Sequence, residues 1–340
     1  MVTIKSIAES LGLSSATVSR ALRNDESLSI APETRMRILM TAERMGYVRK
    51  SVKTSEEPTR DKKIVVLHKK DTFRHQIDSS YYFAVRTGIE DTCHKYAFHC
   101  SFIDIEEIEG FSDAFDGVLI VGNYLKEQYI QLHRIIGATP MASIGITSYF
   151  PDTIDHVTHS NAESIRIALD YLFENGHVKI GYLGVRETPG TELFGSRKQC
   201  FINFMKNAGC YYSEWLYESD HGLDRVDEGY HTMNSWIAQK QPLPTAIFCA
   251  NDPVALGAVK ALLENKISVP EDISIVAHDG SYPTQYSFPA LTTVDVHPYQ
   301  LGVEAVHLLQ ERILEDRKIV KKLFLYPELI IRDSVKRINL

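Results

Sequence analysis

The chain has 340 residues, a net charge of −7 and five cysteines, and its length allows two or three domains with large buried cores. It shows no apolar leader and no run long enough to span a bilayer. The cysteines are odd in number and scattered, which is typical of reduced thiols. These features disfavour secreted disulfide-rich and membrane classes, and we expect a cytoplasmic protein without a membrane partner.

Charge is distributed unevenly along the chain. Residues 1–63 carry 12 Lys/Arg against 8 Asp/Glu, whereas the remaining residues carry 25 against 36. A modestly basic N-terminal arm on an acidic body suits contact between the arm and phosphate groups. The excess in the arm is too small to be diagnostic alone.

The first fifty residues predict three short helices. A first amphipathic helix ends near Gly12, where a tight turn can form, and Ser14 is a good N-cap for the second helix. Pro32 lies in the first turn of the third helix. The expected inward positions are Ile4, Ile7, Ala8 and Leu11 in the first helix, Val18 and Leu22 in the second, and Ile38, Leu39, Ala42 and Met45 in the third.

The second helix exposes small and polar side chains with one arginine, Arg20. Such a surface fits a DNA major groove, where small side chains permit close approach and arginine can bind guanine at two points. The alternative is a small helical cap with no role in DNA binding. Three runs decide between them: T-I-K-S-I-A, S-x-A-T-V-S-R-A-L and E-T-R-x-R-I, followed by G-Y.

Together these runs resemble the DNA-binding headpiece of the lactose/galactose repressor (LacI/GalR) family of bacterial transcription factors. The resemblance implies a helix-turn-helix unit over residues 1–49 that binds double-stranded operator DNA and is associated with the nucleoid. Ser15 and Ala16 would choose bases and Arg20 would make the strongest contact. The candidate DNA-binding residues are Thr3, Ser14, Ser15, Ala16, Thr17, Ser19, Arg20 and Asn24.

Residues 50–63 are polar and lack apolar periodicity, which predicts a linker. Many relatives place a leucine there that wedges into the minor groove. Here the corresponding position is Glu56, and a carboxylate will not intercalate into a polyanion. We therefore expect the linker to act as a tether, unless effector coupling runs differently in this chain.

From residue 64 onward, strand-like and helical segments alternate, which predicts parallel βαβ units with helices on both faces of the sheets. Ligands of such sheets bind beyond the carboxyl ends of the strands. The expected strands are 64–68, 97–103, 117–121, 141–144, 156–158, 179–183, 246–250 and 273–277. The expected helices are 82–95, 126–136, 162–174, 197–207, 254–263 and 299–314.

The body also resembles the effector domain of the same family, which has the type I periplasmic-binding-protein fold. The motifs that carry this resemblance are 176–184, 250–257, 269–274, 289–294 and 327–332. It implies two doubly wound α/β lobes within residues 64–340, with a small molecule between them. The N-lobe would comprise about 64–160 plus 296–324, and the C-lobe about 161–292 plus 325–334.

Effector residues follow from the resemblance and from the strand ends. Arg197 occupies the family position that grips effector hydroxyls, and Asp279 follows a strand. Asn251 and Asp252 also follow a strand, although Asp252 could equally cap the next helix. Tyr81 and Tyr82 could form an aromatic platform or pack in the core. The candidate effector residues are Tyr81, Tyr82, Asn123, Ser160, Arg197, Asn251, Asp252 and Asp279.

The run from Asp78 to Glu90 resembles repressors of galactose and β-galactosidase genes, which implies galactose or a galactoside as effector. Two departures weaken that identification: Ser160 stands where an effector-binding aspartate often occurs, and His221-Gly222-Leu223 stands near an aromatic position. The sequence leaves open whether the sugar induces or co-represses.

No catalytic motif or phosphate loop is present, so we expect neither an enzyme nor a cofactor. Cys93-His94 and His99-Cys100 lie on a helix end and a strand rather than on tight loops, which disfavours a metal site. The sequence thus predicts a homodimeric, sugar-controlled repressor of carbohydrate-utilisation genes. The alternative is a sugar-binding or sugar-processing protein with a helical cap that does not bind DNA.

Overall fold

The structure is a computed structural model that forms two compact units, Met1–Glu57 and Pro58–Leu340. It describes residues 3–22, 30–31, 34–35, 37–38, 41–42, 45, 62–69, 80–122, 124–145, 152–185, 196–219 and 223–338. Most of the expected linker, together with Asn24, Pro32, Leu39, Glu56 and Asn123, lies outside the described residues.

The N-terminal unit contains helices α1 (Ile4–Leu11) and α2 (Ser15–Leu22), and described residues between 34 and 42 are also helical. Gly12 ends α1 with a φ of 64°, a conformation that glycine adopts without steric cost. Ile7, Val18 and Ile38 are fully buried at the centre of this unit. The expected helix-turn-helix is therefore confirmed, with an apolar core that links the helices.

The first sheet of the C-terminal unit contains six parallel strands in the order β11-β5-β4-β3-β1-β2. Their bounds are β1 Lys63–His68, β2 His99–Asp104, β3 Gly117–Val121, β4 Met141–Ile144, β5 Asp155–His159 and β11 Lys322–Leu325. All five residues of β3 are buried, as expected for a central strand covered on both faces.

The second sheet also contains six strands, in the order β12-β10-β9-β8-β6-β7, and only β12 runs antiparallel to its neighbour. Their bounds are β6 Ile180–Val185, β7 Leu216–Ser219, β8 Ala246–Cys249, β9 Ser274–Asp279, β10 Thr292–Asp295 and β12 Glu328–Ile330. Two parallel sheets with helical connections confirm the expected two-lobed α/β fold.

Helices cover both sheets. Their bounds in the described part of the C-terminal unit are α3 Ser80–Lys95, α4 Lys126–Ile136, α5 Asn161–Glu174, α6 Arg197–Asn207, α7 Arg225–Ala238, α8 Asp252–Glu264 and α9 Pro298–Leu314. No helix in the described ranges combines the length and apolar character needed to cross a membrane. Gly88 and Gly302 allow α3 and α9 to approach closely, because a Cβ at either position would overlap the backbone of the other helix.

Three connections pass between the sheets: β5 to α5 at 159–161, β10 to α9 at 295–298, and β11 to β12 at 325–328. Leu325 lies in β11 and pairs with His159, so it belongs to the first sheet, one residue beyond the N-lobe bound expected from the sequence. The carboxyl ends of β5 and β9 meet between the lobes, since the ring centroids of His159 and His278 are 5.4 Å apart there. We call this region, where the carboxyl ends of the two sheets face each other, the cleft.

Candidate DNA-binding and effector sites

The helix ends of the N-terminal unit are capped by its own hydroxyl groups. Thr3 Oγ1 accepts a hydrogen bond from the Ser6 backbone N–H at 3.1 Å, and Ser14 Oγ accepts one from the Thr17 N–H at 3.0 Å. The second bond confirms the expected N-cap at Ser14. These caps stabilise the first turns of α1 and α2, and the shared apolar core holds the two helices together.

The expected reading face of α2 is accessible. Ser14, Ser15 and Ala16 are exposed, and Thr17, Ser19 and Arg20 are partly exposed. Between them, Val18 and Ala21 point into the core. Small residues at the start of the helix and a cation one turn later leave a surface that can enter a major groove.

An ion pair lies at the carboxyl ends of the second sheet. Arg197, the first residue of α6, places Nη1 3.5 Å from Oδ1 of Asp279, which ends β9. The same nitrogen donates to the Ala250 carbonyl at 2.7 Å. Asp279 has a φ of 119°, a strained value for a residue with a side chain. The structure therefore brings together two effector candidates that are 82 residues apart in the sequence.

The two tyrosines extend this site to the first lobe. Tyr81 and Tyr82 lie in the first turn of α3, with ring centroids 5.1 Å apart in an edge-to-face arrangement. Burial raises the pKa of Tyr82, Asp279 raises it further, and the charge of Arg197 opposes the rise. That electrostatic interaction crosses between the lobes. Both rings also pack against the core of the first lobe, so packing and lining of the cleft are not exclusive.

Three further candidates are engaged in local structure. Asn251 Oδ1 caps α8 by accepting from the Val254 N–H at 2.9 Å, and Ser160 Oγ caps α5 by accepting from the Glu163 N–H at 3.2 Å. The helix cap that we considered for Asp252 is therefore provided by Asn251.

Asp252 is fully buried. Its carboxylate accepts from Thr293 Oγ1 at 2.6 Å and from the Ser281 N–H at 2.5 Å, so it ties α8 to β10 and to the segment after β9. Burial raises the pKa of Asp252, and the charge of Asp279 adds to the rise. Burial likewise raises the pKa of Asp279, against the opposing charges of Arg197 and Arg225, and the ion pair with Arg197 favours its ionised form.

Two histidines that the sequence argument did not select lie in the same cleft. His159 ends β5 of the first lobe and His278 lies in β9 of the second, and their ring centroids are 5.4 Å apart. His278 Nδ1 is 3.0 Å from Asp279 Oδ1. Both residues are at the carboxyl end of a strand, which is the signal that could have identified them.

Both rings are neutral near pH 7. Burial lowers the pKa of His159 well below its ordinary value, and the neighbouring His278 and Arg197 lower it further. Burial also lowers the pKa of His278, with Arg197 adding to the effect. Within the described residues, no three His, Cys, Asp or Glu side chains are placed to hold a metal ion.

A helix-turn-helix unit joined to a two-lobed α/β body with a polar cleft defines a DNA-binding transcriptional regulator with a ligand-binding domain. Comparison with known proteins agrees with this class. Residues 3–50 match the family described as bacterial regulatory proteins, lacI family, and residues 169–335 match a periplasmic binding protein-like domain. The chain belongs to the lacI family of bacterial regulatory proteins.

Similar curated proteins include the HTH-type transcriptional regulator GalR of Streptococcus thermophilus, which is 32% identical over 99% of this chain and 100% of its own length. The regulator GanR of Bacillus subtilis is 31% identical over 98% of this chain and 100% of its own length. Both alignments run across headpiece and body, so the family relationship covers the whole chain.

Solved structures with the same fold include a complex of the transcriptional regulator CelR with cellobiose, with a TM-score of 0.71, 22% identity and coverage of 98% of this chain and 100% of that one. A lac repressor dimer bound to operator and the anti-inducer ONPF gives a TM-score of 0.68 at 18% identity, covering 98% and 99%. At these identities the likeness supports the fold alone.

Proposed function

We propose that this regulator represses carbohydrate-utilisation genes and is controlled by a neutral sugar, galactose or a galactoside, bound between its lobes. The observation that carries the proposal is the cleft itself. Arg197, Asp279 and Tyr82 converge there from both lobes, through an ion pair and the electrostatic interaction of the tyrosine with both charges. Charged side chains that bracket hydroxyls, together with aromatic rings, are what sugar recognition needs.

The DNA-binding half of the proposal rests on α2. Ser15 and Ala16 would meet base edges, Arg20 would make the strongest contact, and Thr3, Ser14, Thr17, Ser19 and Asn24 would line the interface. The exposure of Ser15 and Ala16 supports their assignment. Contacts from the capped ends of α1 and α2 would go to phosphate, because helix N-termini favour anions.

We assign each effector candidate a role in sugar binding from its position in the structure. Arg197 and Asp279 would bind hydroxyl groups directly, and the tyrosines would lie against the apolar face of the ring. Asn251, Ser160 and Asp252 would shape the site through the bonds that they already make. Among relatives, the names GalR, GanR and PurR occur at similar identity, so the choice of a galactoside rests on the run from Asp78 to Glu90.

We propose that the protein acts as a homodimer that reads a pseudo-palindromic operator. The solved lac repressor is a dimer on its operator, which supports this arrangement by analogy of fold. Sugar binding would favour one relative orientation of the lobes and thereby change operator affinity. The size of that effect is limited by the difference in sugar affinity between the two states.

Selection from a random pool of DNA duplexes tests the DNA-binding proposal without knowledge of the promoter. We expect enrichment of a sequence with two related half-sites and a mobility shift at moderate salt. The matched control is the same chain with Arg20→Ala. Failure to enrich any sequence would reject operator binding and favour the alternative of a sugar-binding protein with a helical cap.

The sugar is identified by calorimetry with D-galactose, lactose, melibiose, cellobiose and D-ribose, followed by mobility shifts with the one that binds. We expect one neutral sugar to bind and to change operator affinity, and the direction of the change separates induction from co-repression. A sugar that binds without any effect on operator affinity would contradict regulation by that site.

A further inference from the structure

Each of the two cleft histidines has one buried ring nitrogen that lacks a hydrogen-bond partner among the described residues. These atoms are Nδ1 of His159 and Nε2 of His278. Burying a polar nitrogen without a partner costs about 1–3 kcal/mol, so buried polar groups are nearly always satisfied. Two such atoms on rings that meet across the cleft point to a ligand that completes them.

The partnered nitrogen of each ring indicates what the free one can bind. His278 Nδ1 lies beside a carboxylate oxygen of Asp279, which accepts a hydrogen bond, so Nδ1 carries the proton of the neutral ring and Nε2 presents a lone pair. The side chain of Asn161 favours the protonated ring of His159, and Nδ1 of that ring has no partner among the described residues.

These features set the chemistry of the missing partner. A lone pair attracts a hydroxyl group, which can donate, and repels a carboxylate or phosphate, which can only accept. A hydroxyl group can also accept, so it satisfies either ring whatever its tautomer. A hydroxyl group of a neutral polyhydroxy compound can therefore complete either nitrogen, whereas an anionic group cannot complete Nε2 of His278.

We propose that His159 and His278 form a hydroxyl clamp: Nδ1 of His159 from the first lobe and Nε2 of His278 from the second bind hydroxyl groups of a neutral sugar, which thereby bridges the lobes. The clamp rests on the proposed function, because it names how the sugar site senses its ligand. It adds two specificity-determining residues to those expected from the sequence. Through these two histidines the sugar would contact both lobes at the same place in the cleft.

Packing alone does not account for the pair. Ring contact at 5.4 Å would be equally available to two phenylalanines, which carry no polar atom to bury. His177 shows how the same lobe treats a buried structural histidine: its Nδ1 is 3.0 Å from Thr245 Oγ1, and its Nε2 is 3.0 Å from the Lys336 carbonyl. His156, in β5, has one unpartnered nitrogen as well, so what distinguishes the cleft pair is that its two unpartnered nitrogens come from both lobes and that His278 lies beside the Arg197–Asp279 ion pair.

The test combines His→Phe variants with monodeoxy sugars in calorimetric titrations of the full chain. The probe is whichever of the five neutral sugars binds the unaltered protein. His159→Phe and His278→Phe should each weaken its binding about tenfold, which corresponds to about 1.4 kcal/mol. One monodeoxy analogue should bind the unaltered protein about tenfold more weakly than the full sugar. On the variant that lacks the histidine contacting the missing hydroxyl group, the analogue and the full sugar should bind with equal affinity.

Two features keep the test decisive. His177→Asn is the control, a buried histidine outside the cleft whose replacement should leave sugar affinity unchanged. If a Phe variant fails to fold, the Leu variant at the same position replaces it in the comparison with the monodeoxy analogues, because a hydroxyl group bound by Arg197 or Asp279 would lose affinity equally on the parent and on the variant.

The outcomes separate the clamp from the proposed function. A sugar that binds the unaltered protein and both histidine variants with the same affinity would overturn the clamp and leave sugar control standing. D-galactose 6-phosphate is titrated alongside the five neutral sugars. If none of the neutral sugars binds, or if only the phosphorylated sugar binds, then the neutral-sugar assignment fails and the clamp fails with it. Operator selection remains an independent measure of the DNA-binding half.

Discussion

Replacement of His156 by asparagine should remove a large part of the acid sensitivity of the first lobe. His156 lies in β5, is almost fully buried, and has Nδ1 2.7 Å from Ser143 Oγ. Among the described residues its Nε2 has no hydrogen-bond partner. Burial lowers the pKa of His156 from 6.5 to about 4, and the charge of Lys322 contributes.

The sign follows from proton binding. Below about pH 6.5 the unfolded chain protonates this histidine, while the folded chain resists until about pH 4, so acid favours unfolding in that window. A shift of roughly 2.5 pKa units at ~1.4 kcal/mol per unit amounts to about 3 kcal/mol of stability, present at neutral pH and lost by about pH 4. Asparagine can keep a bond to Ser143 and does not titrate.

Urea unfolding of both proteins at several pH values between about 7.5 and about 4 measures the effect. The difference in unfolding free energy between parent and variant should change by about 3 kcal/mol in favour of the variant as the pH falls. Val157→Ala in the same strand is the control, because it removes buried volume without removing a titrating group. A parent–variant difference that stays constant with pH would refute the reasoning.

Three other changes test separate parts of the molecule. Gly257→Ala should lower the unfolding free energy by about 2–3 kcal/mol, because a Cβ there would overlap the Val226 carbonyl oxygen, whereas Gly110→Ala, in open space, should change it by less than about 0.5 kcal/mol. Equal effects in urea unfolding would contradict this. Arg20→Ala should cost about 1–3 kcal/mol of operator affinity in mobility shifts and relax base preference at one position; a uniform loss on all sequences would indicate phosphate contact instead. Glu56→Ala should leave operator affinity within about tenfold, and a larger loss would overturn the tether view of the linker.

Much of the fold is predictable from the spacing of apolar residues, because several segments show a clear helical or strand-like pattern within their own sequence. Lys126–Ile136, Met141–Ile144 and Arg197–Asn207 have the predicted bounds. The strand expected from Ala97 starts two residues later, since Ala97 itself has a positive φ of 55° and belongs to the turn. Local pattern thus locates elements well and their ends less well.

The sequence did not predict the helix Arg225–Ala238, because its buried face is not marked by a regular spacing of apolar residues. Glu228 and Thr232 are buried in it beside Met233 and Trp236, so the inward face is not uniformly apolar. Gly229 lowers helix propensity yet permits close contact, since a Cβ there would overlap the Val254 backbone. Packing against a distant helix supplies the stability that the segment lacks alone.

The effector site was predictable in part for a related reason. Arg197 and Asp279 were found because family resemblance and strand ends both mark them, and they pair as neighbours in the structure. His159 and His278 share the strand-end position, but no family motif marks them and a histidine at a strand end is not by itself specific. Only the meeting of two sheets brings their rings together, and no pattern within either strand encodes that.

A ligand bound at His159 would lie close to the three chain connections that form the hinge between the lobes. Tyr326, in the third connection, accepts at its carbonyl a hydrogen bond from Nε2 of His297 in the second, at 3.1 Å. Its hydroxyl accepts one from Arg166 of α5, the helix entered through the first connection, at 2.9 Å. Bonds this exposed contribute little individually, under about 1 kcal/mol each. They nevertheless meet at one residue, so a rotation of the lobes about one connection also changes the surroundings of the other two. A ligand that binds His159 acts at the residue where the first of these three connections begins.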